Sequence, residues 1–102
     1  MTYSFDKYTV YLYSGTSYDA LIQLFNGNSF VANITFYPGN AAIPANSITA
    51  NNSLLINYRS NRFDEVLRLL QYEGPLQITV NPANGIGSIS TKSEPVGEQE
   101  GV

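Results

Sequence analysis

Only one stretch of this chain has the periodicity of a helix, and it carries its own start and stop signals. Phe63, Val66, Leu67 and Leu70 recur at i, i+3, i+4 and i+7, a single apolar stripe suited to packing on a core. Ser60 or Asn61 precedes the stripe as a cap, Asp64 follows Asn61 in a box-like arrangement, and Gly74-Pro75 closes it. The spacing predicts a helix over about 61–73. Asp64, Glu65, Arg68 and Gln71 fall on its wet side, with Asp64 and Arg68 at ion-pair spacing. One helix has one stripe to offer, so the remaining apolar residues must find cover as sheet.

They are patterned for it. Residues 7–14 alternate strictly, with Tyr8, Val10 and Leu12 on one face and Thr9, Tyr11 and Tyr13 on the other. A second run at 18–25 sets Ala20, Ile22 and Leu24 against Leu21, Gln23 and Phe25. Asn26-Gly27 then signals a tight hairpin of type I′ into a third run at 29–37, whose Phe30, Ala32, Ile34 and Phe36 share a face. After Pro38-Gly39 comes an aperiodic loop at 38–50, a fourth strand at 52–58, the helix, a fifth strand from Leu76 to Val80 and a short sixth at 86–91. Gly87 within the last run predicts a bulge or a close backbone approach. The order β-β-β-β-α-β-β points to an α+β fold, a mostly antiparallel six-stranded curled sheet or half-open barrel with the helix packed on it. A single domain is expected over 1–102, with 93–102 an acidic tail whose last residues are disordered.

Composition removes several kinds of chemistry. The chain has no His and no Cys, hence no common general base, no thiol nucleophile and no soft metal ligand; no metal and no cofactor is expected. Net charge is −3, and Arg59, Arg62 and Arg68 are interleaved with Asp64 and Glu65, which disfavours nucleic acid. No run approaches the ~20 apolar residues of a membrane span. The amino terminus lacks the basic and apolar regions of a signal peptide, so a cytoplasmic location is expected and the sequons at Asn33 and Asn51 read as coincidental. Asp64 and Glu65 diverge on the helix. Asp6 and Asp19 flank the first two strands, where a carboxylate pair would form only if both reached one sheet end. Gly85-Ile86-Gly87 lacks the rest of a dinucleotide fingerprint. No converging acid, base and nucleophile is present, and an enzyme is not expected.

What remains is excess apolar surface. Strands two and three carry large side chains on both faces, and one helix stripe covers one of them. Tyr11, Tyr13, Leu21 and Phe25 lie on the face less suited to the helix and are the candidate interface of a homo-oligomer, a dimer, built sheet to sheet or edge to edge. The alternative is a small-molecule pocket between the sheet, the helix and the 38–50 loop, with polar contacts from Asn33, Asn57, Tyr58 and Arg59.

The carboxyl-terminal part adds a resemblance. The helix pattern Phe63, Val66, Leu67, Leu69 and Leu70, the hairpin, and then Thr91, Glu94, Pro95, Val96, Gly97 and Glu98 (T-x-x-E-P-V-G-E) resemble a group of small bacterial proteins without assigned activity. The resemblance covers residues 60–98 and implies a small bacterial domain with no catalytic residues to carry over. It also suggests that residues 94–98 fold back, bringing Glu94 or Glu98 near Arg59 or Arg62. The resulting expectation is a non-enzymatic, self-associating protein-interaction module.

Overall fold

A computed structural model describes residues 1–92. Its elements are β1 (Thr2–Phe5), β2 (Lys7–Leu12), β3 (Ala20–Asn26), β4 (Ser29–Tyr37), β5 (Ser47–Ile48), β6 (Leu54–Arg59), α1 (Phe63–Tyr72), β7 (Leu76–Val80) and β8 (Gly87–Thr91). A 3-10 turn at Ser60–Arg62 leads into α1. The fold is α+β, strand-rich, with one α-helix among the described residues.

The strands do not form the single six-stranded sheet or half-open barrel expected. They divide into a five-stranded sheet ordered β2-β3-β4-β6-β5 and a three-stranded sheet ordered β1-β7-β8. The break is local to Asp6. Its N–H donates to the Phe25 carbonyl, the residue that Lys7 also opposes, so two residues face one as in a β-bulge. That bend sends β1 to β7 and β2 to β3. The Asp6 carboxylate fixes it by accepting the Gly27 N–H at 2.9 Å.

Apolar residues from both sheets and the helix form one buried cluster. The larger sheet contributes its inner face, where Ile22, Leu24, Ile34, Phe36 and Leu54 are fully buried. The smaller sheet contributes Ile78 and Val80, also fully buried, with Ile89 packed beside them. From α1 come Val66 and Leu70, flanked by Phe63 and Leu69. Leu69, not Leu67, thus completes the helix stripe. Phe36 joins the layers: its ring stacks on Tyr58 at 6.0 Å and meets Phe63 edge-on at 5.0 Å.

Three connections differ from expectation for identifiable reasons. β4 and β6 run parallel, so the chain must cross over between them, and a parallel pair needs a dozen or more residues to do so. The 38–53 stretch is that crossover, and β5 within it adds a short antiparallel edge to β6. The β3–β4 turn is centred on Gly27 and Asn28, with Gly27 at φ 61° and Asn28 not at positive φ, the pattern of a II′ turn and not I′. At the helix, Ser60 is not a cap: its hydroxyl donates to Asp19 Oδ2 at 2.5 Å, and Arg62 occupies the N-cap position without a side-chain cap bond. Gly74 is not left-handed either, because Glu73 already leaves the helix in extended conformation. The helix's ion pair is Arg62–Glu65 at 3.0 Å, in place of Asp64–Arg68.

Gly87 makes the close approach that its position predicted. A Cβ there would lie 2.9 Å from the Ile56 side chain and 3.1 Å from Asn46 Nδ2. Asn46 clamps the same junction: Oδ1 accepts the Asn57 N–H at 2.8 Å and Nδ2 donates to the Gly85 carbonyl at 3.0 Å. The expected docking of Glu94 or Glu98 near Arg59 or Arg62, and the acidic tail itself, lie outside the described residues.

Candidate functional site

The period of the strands and their register assign each candidate to a face. Because Ile22, Ile34 and Ile56 point into the core, Leu21, Thr35 and Asn57 point out of the larger sheet, and Tyr11 extends that row across β2. Phe25 lies on the same outer face, beside Lys7 and Phe30. Tyr13 follows β2 in the same alternation, its N–H donating to the Asp19 carbonyl at 2.9 Å. The fold thus places Tyr11, Tyr13, Leu21 and Phe25 on one face of one sheet, away from the helix.

Two further tyrosines extend Tyr11 and Tyr13 into an aromatic row of four. Tyr11 stacks on Tyr13 with 6.2 Å between centroids, Tyr13 meets Tyr18 edge-on at 5.3 Å, and Tyr18 meets Tyr37 at 6.0 Å. Phe25 and Phe30 form a second pair at 5.9 Å. Such contacts hold the rings in place, so that they present rigid area at low entropy cost. Sequence reasoning had no means of adding Tyr37, which reaches the row only through the β3–β4 register. At the centre of the same face the Asn33 side-chain oxygen is buried without a hydrogen-bond partner among the described residues.

The alternative set does not converge. Asn33, Asn57 and Arg59 lie on the outer face, whereas Tyr58 lies on the inner one against Phe36. Asn57 is occupied by the crossover, its Nδ2 donating to the carbonyls of Pro44 and Ala45. Arg59 Nη1 donates to the carbonyls of Pro38 and Ala41 and so staples the turn after β4. These two side chains fasten the 38–50 loop to the sheet. Burial raises the Tyr58 phenol above its ordinary range; the Arg62 guanidinium, 5.6 Å from the ring centroid, works against that shift, and Glu65 adds to it.

Asp6 and Asp19 do not meet. They stand at opposite ends of the β2–β3 pair, about 20 Å apart at the rise of a strand, and each is engaged locally by Gly27 or Ser60. Among the described residues no group of three or more carboxylates is arranged to hold a metal ion, and no helix is long and apolar enough to cross a membrane. An apolar cleft of about 240 Å3 does exist elsewhere, where the start of β2 faces the end of α1; Phe5, Tyr8, Leu70 and Leu76 line it together with Asp6 and Glu73.

No protein-family model, no curated protein and no solved structure matches this chain.

Proposed function

We propose that this domain is a non-enzymatic interaction module whose partner is a second copy of itself, with Tyr11, Tyr13, Leu21 and Phe25 in the contact region. The observation that carries the reading is the exposure of β2. It has no buried residue, and all but Val10 of its six residues are exposed: Tyr11 is 40% and Leu12 76% exposed, and Tyr13 just beyond it is 38% exposed. A strand with large apolar or aromatic side chains on both sides, of which only Val10 packs against the core, leaves surface that association would remove from water, worth roughly 25 cal/mol per Å2. The aromatic row beside it is already ordered, which lowers the entropy cost of binding. The dispersed carboxylates support a binding role over a catalytic one.

Light scattering behind size exclusion, run over a range of concentrations, tests the reading. The expected result is a concentration-dependent dimer. Replacing Tyr13 and Phe25 together by Ser should weaken it at least tenfold while the monomer still melts cooperatively. A mass that stays monomeric at every concentration defeats the proposal.

A further inference from the structure

β2 is the outermost strand of the larger sheet and pairs on one side only, with β3. Tyr13 donates its N–H toward β3, so by alternation Tyr11, Thr9 and Lys7 direct their backbone groups the same way. The N–H and C=O groups of Tyr8, Val10 and Leu12 therefore face outward as an open row. Little blunts this edge. β2 contains no proline, and its single charge, Lys7, stands at its first position.

The same three residues turn their side chains to the inner face, and there the strand overhangs the core. Tyr8 is 36% and Leu12 76% exposed, although their neighbours across β3, Leu24 and Ala20, are buried. Tyr8 also forms one wall of the cleft that Phe5, Leu70 and Leu76 floor. One strand thus carries an exposed apolar knob at one end and an apolar cleft at the other.

Within the self-association proposed above, we infer that two copies join edge to edge through β2, antiparallel about a two-fold axis at Val10, each Leu12 seating beside the partner's Tyr8 at the mouth of this cleft. The register is self-complementary. Val10 lies opposite the partner's Val10 and Tyr8 opposite the partner's Leu12, which pairs every backbone group of the open row. Neighbouring strands lie about 4.8 Å apart, so Leu12 arrives within contact distance of the cleft wall. On the outer face Tyr13 falls opposite the partner's Lys7, where an ammonium group and an aromatic ring attract. The two lysines stand at far ends of the paired strands, so no like charges oppose. Recentring on Tyr8 would set Asp6 against the partner's Val10, and recentring on Leu12 would run the pairing into the Gly15 turn.

Knob area decides how tight this dimer is. The exposed parts of Tyr8, Tyr11, Leu12 and Tyr13 amount to on the order of 300–400 Å2 per copy, against ~800 Å2 per partner in a standard interface. A reversible dimer of micromolar or weaker affinity is expected, not an obligate one.

Proline at Val10 removes an N–H that points away from β3 and that the β2–β3 ladder does not need, at the cost of a side chain half-packed on the core. Aspartate at Leu12 is the second probe; its site is exposed, so folding does not depend on it. Sedimentation velocity from about 10 μM to about 1 mM spans the affinity range that this area implies. The expected result is a wild-type dimer that Val10→Pro and Leu12→Asp each weaken at least tenfold, with circular dichroism unchanged. Should Val10→Pro not fold, Leu12→Asp decides by itself. A dimer undiminished by Leu12→Asp overturns the edge-to-edge arrangement and returns self-association to the outer sheet face. A wild-type chain monomeric throughout overturns both.

Discussion

β2 and β4 are written in the same alternating pattern and have opposite fates. In β4, Ala32, Ile34 and Phe36 are fully buried; in β2, the corresponding series Tyr8, Val10 and Leu12 runs from partly covered to almost bare. The two strands flank β3 and present these residues to the same side of the same sheet. What separates them is the opposite layer. Phe36 lies under Phe63 of the helix, whereas the second layer gives out before Leu12. Alternation chooses a face; only packing against another layer makes that face a core.

The largest test of this contrast is truncation on each side of it. Phe36→Ala should destabilise the monomer by about 3–5 kcal/mol, the usual loss for an emptied aromatic core site, whereas Leu12→Ser should stay within about 0.5 kcal/mol. Urea unfolding of both variants measures the pair, and similar losses would mean that Leu12 is covered after all. A smaller effect is expected where the layers touch. Gly87→Val places atoms inside contact distance of Ile56 and should cost about 1–3 kcal/mol by overpacking, read as a lower unfolding midpoint. A neutral substitution would mean that the two sheets can separate at no cost.

The smallest effect concerns Tyr58, a polar ring on the covered side. Its phenol is held above the ordinary range chiefly by burial, so the folded state keeps that proton more tightly than the unfolded chain does. The stability this contributes is complete below the unfolded value near 10 and is lost as pH rises through the folded one. Tyr58→Phe should therefore flatten the alkaline loss of stability, measured as Tm between about pH 9 and 11. An unchanged profile would show that burial of this hydroxyl has no consequence for folding.

The sequence announced the elements whose signals are local. β4 occupies 29–37 as expected, although a register shift at Leu24/Phe25 interrupts its alternation, burying Val31 and turning Phe30 to the outer face away from Ala32, Ile34 and Phe36. β7 runs from Leu76 to Val80 between a proline and a turn. The helix follows from its stripe, although its caps do not, because Ser60 is drawn to Asp19 across the sheet. β1 was missed: four residues with no turn signal before β2 and a partner more than seventy positions away leave no local trace. β5 has only two residues. The division into two sheets turns on one bulged residue, Asp6, and a bulge is a matter of pairing count that alternation does not encode. For the candidate site the period of two sufficed to put Tyr11, Tyr13, Leu21 and Phe25 on one face of the sheet, with Phe25 at the far end from Tyr13. The openness of β2 was not legible, since exposure depends on what lies across from a strand.

The pairing of β1 with β7 also orders events in time. Thr2 lies opposite Thr79 and Phe5 opposite Leu76, so β1 is made more than seventy residues before the strand it pairs with. The β2–β3–β4 meander closes through short turns and can form early, but the smaller sheet must close the longest loop among the described strand pairs. Until β7 is made, Phe5 has no sheet to sit in and the inner face of the meander has only the helix side of its opposite layer. A nascent chain stopped near residue 75 would hold a formed meander whose apolar side is covered by the helix alone, leaving the part that the smaller sheet covers open to a chaperone.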